Sequence, residues 1–145
     1  MFFGTYYHSL DSKGRLVIPS RFREQVKDHL YVMNGYNGTL EIYLPTDFDA
    51  LVKKTSSLSY NHKDERDFIR LRLASVIETE LDDHGRIALP VKILARLDIK
   101  KSVAVIGVND HFEVWNQEKW DEYSQDISQR MDTIAEGLPE DNRHE

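Results

Sequence analysis

The stretch Asp11-Ser-Lys-Gly-Arg-Leu-Val-Ile-Pro19 returns 71 residues later as Asp82-Asp-His-Gly-Arg-Ile-Ala-Leu-Pro90. Both copies read D-x-x-G-R, followed by an apolar residue, a variable one, a second apolar residue and proline. The similarity continues downstream, where Leu40-Glu-Ile-Tyr43 matches Phe112-Glu-Val-Trp115. The chain is therefore predicted to be a duplicated module whose function depends on the turn that both copies share.

Each half is predicted to hold the same elements in the same order. Apolar runs bounded by turn residues predict strands at 6–10, 15–18, 30–34 and 39–44, and at 76–81, 86–89, 102–108 and 111–115. Proline suits the first position of a helix, so a short helix is predicted after Pro19 and after Pro90. Longer helices are predicted at 46–54, 63–75 and 117–135, with Thr46 and Asn116 as N-caps.

These elements divide the chain into four predicted segments. Residues 1–60 form the first half with its following helix, and 61–75 form a bridging helix. Residues 76–136 form the second half with the C-terminal helix, and 137–145 form a flexible acidic tail.

The C-terminal helix carries one apolar stripe at helical spacing. Its members are Trp120, Tyr123, Ile127, Met131 and Ile134. Packing against the core is the favoured interpretation, and a contact between subunits is the alternative.

Composition excludes several kinds of site. A chain of 145 residues is long enough for one compact unit, and the absence of cysteine excludes disulfides and thiolate metal or redox sites. The N-terminus lacks a basic leader followed by a long apolar run, and no window approaches the roughly 18 apolar residues of a membrane span. The sequence therefore predicts a cytoplasmic protein without a membrane partner.

The net charge of -6 is unevenly distributed along the chain. Residues 109–145 hold 11 acidic and 3 basic side chains, a net -8, whereas residues 1–108 hold 14 acidic and 16 basic ones, a net +2. Residues 1–27 alone carry a net +3. Because DNA binding depends on where cations are placed, the acidic total does not exclude a nucleic-acid partner.

The repeated turn has a structural explanation and a functional one. Its first Asp can accept hydrogen bonds from backbone N–H groups, and Gly14 or Gly85 can adopt a positive φ without a Cβ clash. Arg15 and Arg86 are not needed for that geometry. They either form an ion pair that holds the turn in shape, or present a guanidinium that binds phosphate or the guanine edge bidentately.

The two copies differ in charge at the tip of the turn. Lys13 adds a cation to the first turn, whereas Asp83 and His84 occupy the second. The first turn is therefore predicted to be the better phosphate contact, and Arg86 the main cation of the second.

Further signatures accompany the two turns. Met1-Phe-Phe-Gly4 opens the chain, and Val105-Ile-Gly-Val108 precedes Phe112-Glu-Val-Trp115. Together with both D-x-x-G-R motifs, these signatures resemble the MraZ family of bacterial transcription regulators, which consist of two AbrB/SpoVT-like repeats. The match runs in order over roughly residues 1–125.

The resemblance implies an α+β fold, in which two AbrB-like swapped-hairpin halves form one intramolecular double-psi-like β-barrel with peripheral helices. It implies a ring homo-oligomer that binds short G-rich direct repeats in double-stranded promoter DNA. The implied target lies upstream of the cell-division and cell-wall gene cluster, which includes the chain's own gene. Such a regulator is expected to be nucleoid-associated and to need no cofactor, metal or small-molecule substrate.

Carried over residue by residue, the DNA-contact motifs of the family fall on 11–15 and 82–86. The predicted DNA contacts are Lys13, Arg15 and Arg86. Arg21 and Arg23 are weaker candidates on the helix after Pro19, where a solvated face or an ion pair with Glu24 or Asp28 is the commoner outcome. The supporting turn residues are Asp11, Gly14, Asp82 and Gly85.

One position departs from the family pattern. The resemblance implies an arginine before the glycine of the third strand, and this chain has Asn34 before Gly35. Ring size or DNA affinity depends on this position if that arginine serves the subunit interface or DNA.

A ring also reconciles an acidic chain with DNA binding. Subunits of a cyclic ring meet head to tail, so neighbours present the same turn in the same sense. This arrangement favours direct repeats spaced near one helical turn, about 10 bp. Linking several weak sites raises avidity without any new kind of contact.

Two other classes of function compete with this prediction. An enzyme has little support, because the six histidines show no metal-ligand spacing such as H-E-x-x-H and no nucleotide-binding or nucleophile motif is present. An AbrB-like assembly or protein-interaction module without specific DNA binding is the alternative that remains open. Salt-sensitive binding to promoter DNA separates it from a regulator.

Overall fold

The computed structural model describes residues 1–139 and contains eight strands, six α-helices and one short 3-10 helix (Tyr36–Gly38) within them. The strands are β1 (Thr5–Ser9), β2 (Arg15–Val17), β3 (His29–Asn34), β4 (Leu40–Tyr43), β5 (Ile77–Glu80), β6 (Arg86–Ala88), β7 (Ser102–Gly107) and β8 (Phe112–Asn116). The helices are α1 (Ser20–Arg23), α2 (Pro45–Ser56), α3 (Lys63–Ala74), α4 (Val91–Arg96), α5 (Gln117–Gln129) and α6 (Met131–Glu136). The predicted α+β class is confirmed, and every predicted strand is found within one residue at either end. From residue 140 onward, the predicted tail lies outside the described residues.

The two halves of the chain exchange strands. In the larger sheet, ordered β1-β7-β8-β4-β3-β5, β1 of the first half pairs with β7 of the second, and β5 of the second half pairs with β3 of the first. The strands β4 and β8 join the halves at the centre of this sheet, and β2 pairs with β6 in a separate ribbon. All of these pairings are antiparallel. Neither half completes its sheet alone.

The described pairings do not close the larger sheet into a barrel. Its edges are β1 and β5, and no strand pairing joins them within residues 1–139. The ribbon of β2 and β6 turns Leu16 and Ile87 inward, where both are fully buried. A closed AbrB-like barrel therefore remains a prediction.

One main hydrophobic core receives side chains from both halves. Its buried members are Phe2, Leu10, Leu16, Ile18, Phe22, Leu30, Val32, Leu40, Ile42, Ile87, Leu89, Leu94, Ile99, Val103, Val105, Phe112 and Val114. The aromatic rings of Phe2 and Phe22 meet edge to face, with centroids 5.0 Å apart. Because the ribbon and the larger sheet share this core, the outer face of the ribbon is held on a rigid support.

The starts of two helices test the predicted N-caps. Helix α2 begins at Pro45 with Leu44 at the N-cap position, so the prediction of Thr46 is wrong. Proline fills the first helical position because its fixed φ is already helical. The N-cap at Asn116 is confirmed, since its side chain accepts a hydrogen bond from the backbone N–H of Lys119 at 3.1 Å.

The single helix predicted at 117–135 is wrong, because the chain forms two helices there. Arg130 lies between α5 and α6 with φ -111° and ψ 12°, outside helical geometry. One turn earlier, the Ser128 hydroxyl donates to the carbonyl of Ser124. Such a local bond competes with regular helical hydrogen bonding and bends helices.

The apolar stripe on these helices is only partly buried. Trp120 and Tyr123 pack on the Trp115 ring, with centroids 5.2 and 5.1 Å away. Met131 is 70% exposed and Ile134 is 43% exposed. Core packing is therefore wrong for the α6 part of the stripe. Within residues 1–139, every helix falls short of the length and apolar character that a membrane crossing requires.

Candidate nucleic-acid interface

The first turn is built around the carboxylate of Asp11. Its Oδ1 accepts hydrogen bonds from the backbone N–H groups of Lys13 at 2.9 Å and Arg15 at 2.8 Å. The N–H of Gly14 donates to the carbonyl of Asp11 at 3.0 Å, and the φ of Gly14 is +75°. One aspartate thus fixes the whole turn, as the D-x-x-G spacing predicts.

The second turn repeats this geometry closely. Oδ1 of Asp82 accepts from the N–H groups of His84 at 2.8 Å and Arg86 at 2.9 Å. The N–H of Gly85 donates to the carbonyl of Asp82 at 3.0 Å, and the φ of Gly85 is +71°. The backbone of the two turns is therefore equivalent.

Each aspartate also holds the arginine that follows the turn. Nε of Arg15 donates to Oδ2 of Asp11 at 2.5 Å, and Nε of Arg86 donates to Oδ2 of Asp82 at 2.8 Å. The side chains of Arg15 and Arg86 remain 34% and 25% exposed. Within residues 1–139, the terminal amino groups of both arginines donate no hydrogen bond. The predicted ion pair is therefore present in both turns and leaves each guanidinium partly exposed, while binding of phosphate or guanine stays a prediction.

The ribbon of β2 and β6 brings both arginines to one outward face. Arg15 is paired with Ala88 and Val17 with Arg86, so the two arginines are diagonal neighbours on the face opposite the buried residues. Diagonal neighbours of an antiparallel pair lie roughly 7–8 Å apart. Backbone hydrogen bonds also cross between the turns, since the carbonyls of Gly14 and Gly85 each accept an N–H from the opposite half.

The ionised aspartates neutralise the two arginines. Hydrogen bonding from the N–H of Arg15 lowers the pKa of Asp11, and the N–H of Arg86 lowers the pKa of Asp82 to about 2. Oδ2 of Asp11 also lies 4.0 Å from Nη1 of Arg86, at the limit of an ion pair. These four groups sum to zero at neutral pH, so their neighbours decide the sign of the local charge.

Around the first turn, those neighbours are cations from both halves. Lys13 is exposed at the tip. The N–H of Leu10 donates to the carbonyl of Lys101 at 2.7 Å, which brings the segment before β7 next to the turn. Lys100, Lys101 and Asp11 line the same surface cavity of about 480 Å³. Lys13, Lys100 and Lys101 add three positive charges to this surface, and Asp98, 3.8 Å from Lys100, adds one negative charge.

Around the second turn, the charges cancel. Arg23 of α1 packs against Gly85, where an added Cβ would lie 2.4 Å from its Nη1. The pairing of β5 with β3 corresponds to the pairing of β1 with β7. Lys27 and Asp28, just before β3, therefore occupy the positions that Lys100 and Lys101 occupy before β7. The cations Arg23 and Lys27 and the anions Asp28 and Asp83, the last at the tip of the turn, sum to a net charge of zero.

Comparison with known proteins identifies the family. A family model described as "MraZ protein, putative antitoxin-like" matches residues 1–71 and 73–138. The chain belongs to the MraZ family. The transcriptional regulator MraZ of Finegoldia magna is 37% identical over 138 residues, which cover 95% of this chain and 96% of that protein. The same-named protein of Natranaerobius thermophilus is 38% identical over the same shares of the two chains.

Membership in the MraZ family supports the predicted class of function. The relatives carry the name of transcriptional regulators and not of enzymes, so the prediction that the chain is not an enzyme is confirmed. In this MraZ-family chain, Lys13, Arg15 and Arg86 lie at the ribbon of β2 and β6.

Arg21 lies apart from both turns in this MraZ-family chain. It is exposed on α1 and lines a different surface cavity, together with Met1, Phe3 and Glu24. The weaker DNA contact predicted at Arg21 therefore remains a prediction, and Arg23 is the α1 arginine that reaches a turn.

The backbone of Asn34, where the resemblance implies an arginine, is contacted by an arginine of another element. Nη1 of Arg72, on α3, donates to the carbonyl of Asn34 at 2.9 Å, and Nη2 donates to Oε1 of Glu41 at 3.0 Å. Arg72 and Glu41 are 8% and 2% exposed. Sequence reasoning missed this buried ion pair because its members lie 31 residues apart and no motif links them.

The same region contains a group of potential metal ligands. Glu41, His111 and Glu113 offer ligand atoms that lie within 4.8 Å of one another. However, Glu41 already accepts hydrogen bonds from Arg72 and from the Tyr43 hydroxyl, at 3.0 and 2.8 Å. Arg72 thus supplies the positive charge that a metal would bring, and the group is explained as a buried ion pair with its hydrogen bonds.

Proposed function

We propose that this MraZ-family chain is a sequence-specific DNA-binding transcription regulator. Arg15 is the principal DNA contact, Arg86 contributes from the second half, and Lys13 attracts phosphate. The single observation that carries the proposal is the outward face of the β2–β6 ribbon, which holds both arginines side by side. Arg21 is a secondary contact.

The chemistry of the arginines supports this assignment. Within the guanidinium of its arginine, each aspartate accepts a hydrogen bond from Nε alone among the described contacts. The remaining edge of the guanidinium carries the two terminal amino groups, which can donate bidentately to O6 and N7 of guanine or to phosphate. Holding the side chain in place before binding also lowers the entropic cost of the contact.

We propose that the chain acts as a ring homo-oligomer. Each half, 1–60 and 76–136, is an AbrB-like unit of one barrel, and 61–75 is the bridge between them. Met131, Ile134 and Leu138 each expose an apolar side chain near the end of the described chain, which is consistent with self-association through this region. A cyclic ring repeats the same ribbon around its axis and so favours direct repeats. The repeats are proposed to be short and G-rich, as the family resemblance implies.

The proposed target is promoter DNA of the cell-division and cell-wall gene cluster, including the chain's own gene. The protein is accordingly expected in the cytoplasm at the nucleoid. A ring in which several subunits engage DNA gains avidity, so that the modest positive charge of one ribbon suffices.

The test compares binding of the wild-type protein and Arg15→Ala to labelled DNA. One fragment comes from upstream of the coding sequence and contains the direct repeats, and a second has the repeats scrambled. Fluorescence anisotropy measures both affinities, and light scattering confirms that the variant keeps its assembly. Losing one bidentate base contact costs about 1–3 kcal/mol for each engaged subunit, so Arg15→Ala should lose most of its preference for the repeats.

The control variant is Lys53→Ala, which removes an exposed cation from α2. It should bind like the wild type. If Arg15→Ala, with its assembly intact, bound the repeats as tightly as the wild type, the site assignment would be wrong. If the wild type did not distinguish the repeats from the scrambled fragment, the interaction module without specific DNA binding would be the better assignment.

A further inference from the structure

The segment before β7 brings two lysines beside the first turn. Lys100 and Lys101 follow α4 in the second half, more than 80 residues after Lys13 in the chain. The hydrogen bond from the N–H of Leu10 to the carbonyl of Lys101, at 2.7 Å, fixes this segment against the first turn. The strand exchange between the halves therefore brings two cations of the second half next to the first turn.

These lysines are available for an anionic partner. Lys13, Lys100 and Lys101 are all exposed. Within residues 1–139, Lys13 and Lys101 form no ion pair. Lys100 is 3.8 Å from Asp98, in a pair whose side chains are 77% and 55% exposed, and such surface pairs hold a lysine only weakly.

The corresponding segment of the other half carries a different charge. Lys27 and Asp28 stand there, and Oδ2 of Asp28 pairs with Nδ1 of His29 at 2.9 Å. A role confined to the fold would require no cation at the position of Lys101, since the same strand geometry is formed before β3 with Asp28 there and Lys27 at the position of Lys100. The lysine pair is thus a property of the surface of the first turn.

We propose that Lys100 and Lys101 contact DNA phosphates next to the site of Arg15, so that cations from both halves hold the DNA backbone at the first turn. This inference rests on the proposed DNA binding and extends it to residues that no D-x-x-G-R motif contains. Phosphate contacts fix the position of a protein on the duplex and carry no sequence information, whereas arginine contacts to bases discriminate. The two kinds of contact therefore predict different effects on affinity and on specificity.

The experiment uses the full chain with Lys100→Ala and Lys101→Ala combined. Affinity for the repeat-containing and scrambled fragments is measured by fluorescence anisotropy at several salt concentrations. The variant should lose affinity for both fragments by a similar factor and keep the ratio between them. The slope of log K against log salt should become shallower by about 1 for each lysine that contacts phosphate in each engaged subunit.

A matched control is Lys53→Ala with Lys54→Ala, an adjacent pair of exposed lysines on α2. It removes the same charge elsewhere and should leave the salt slope unchanged. An unchanged slope in the Lys100 and Lys101 variant, or an equal loss in the control, would overturn the inference. Arg15→Ala separates this failure from failure of the proposed function, because it should abolish the preference for repeats even if Lys100 and Lys101 play no part.

If the wild type bound neither fragment in a salt-dependent way, the proposed function and this inference would both fail. If the wild type bound the repeats specifically, Arg15→Ala lost that preference, and the Lys100 and Lys101 variant behaved like the wild type, the proposed function would stand and the inference would be wrong.

Discussion

The first and second turns share a backbone and differ in their surroundings. In both, one aspartate accepts two backbone N–H groups and holds an arginine through Nε. The first turn is packed by Leu94 and flanked by lysines, whereas the second is packed by Arg23 and flanked by balanced charges. The pairing of β2 with β6 requires the same turn geometry in both halves, whereas it does not constrain the charge around each turn.

The largest expected difference between the turns concerns their glycines. Both have a positive φ, which costs a residue with a side chain about 1–2 kcal/mol. A Cβ on Gly14 would also lie 2.8 Å from the backbone carbonyl oxygen of Leu89, whereas the three atoms nearest to a Cβ on Gly85 all belong to the flexible side chain of Arg23. We expect Gly14→Ala to lower the free energy of unfolding by about 2–5 kcal/mol and Gly85→Ala by about 1–2 kcal/mol.

Urea unfolding of both variants, followed by circular dichroism, measures these free energies. The two variants control for each other, because each introduces the same side chain at nearly the same φ. Equal losses of unfolding free energy would show that the backbone at Leu89 moves away from the new Cβ without loss of stability, and that the two turns are structurally interchangeable.

The next prediction exchanges the tips of the turns. Ser12→Asp combined with Lys13→His gives the first turn the tip of the second, and Asp83→Ser combined with His84→Lys gives the second the tip of the first. We expect the first exchange to weaken binding to the repeat fragment by about tenfold for each engaged subunit, about 1.4 kcal/mol. The second exchange should strengthen binding by less, because the flanking Asp28 still repels phosphate there.

Anisotropy at fixed salt measures both exchanges, and a protein carrying all four substitutions serves as the control for total charge. That protein has the wild-type net charge with the tips reversed. If it bound like the wild type, the position of the lysine would not matter, and the proposed inequality of the two turns would be wrong.

Much of this comparison was predictable from the sequence, because it depends on local patterns. The D-x-x-G spacing predicted the hydrogen bonds of Asp11 and Asp82, and apolar runs predicted the strands, since both depend on residues a few positions apart. The charges at the tips of the turns also follow directly from the sequence. Local reasoning was weaker at helix ends, where Pro45 displaced the expected N-cap and Arg130 interrupted a continuous helical pattern.

Features that depend on contacts between the halves could not be predicted. The register of β2 with β6 places Arg15 and Arg86 on one face, and neither residue carries a signal for the other. The proximity of Lys101 to Leu10 and the burial of Arg72 beside Glu41 likewise arise from chain crossings over 31 residues or more. The sequence can indicate that cations are clustered along the chain. The pairing of strands between the halves decides which turn those cations lie beside.

The smallest expected difference concerns the pH dependence of the two aspartates. The backbone N–H of the following arginine lowers both pKa values, that of Asp82 to about 2. A carboxylate with a lowered pKa stabilises the fold fully above its unfolded value, about 3.9, and loses that contribution as the pH falls through its folded value. We therefore expect Asp82→Asn to be less stable than the wild type at pH 7, with the difference disappearing only as the pH falls from about 4 toward 2. Thermal unfolding across this range measures it.

Asp11→Asn supplies the comparison, and Asp49→Asn, an exposed position on α2, supplies the control. Among the described residues, Asp11 lies within ion-pair distance of both arginines and Asp82 of one, so Asp11→Asn should also weaken DNA binding more than Asp82→Asn does. Both effects should be modest because these pairs are exposed to solvent. If Asp82→Asn weakened DNA binding as much as Asp11→Asn, the contact between Asp11 and Arg86 would have no part in holding the second arginine, and each turn would act through its own aspartate alone.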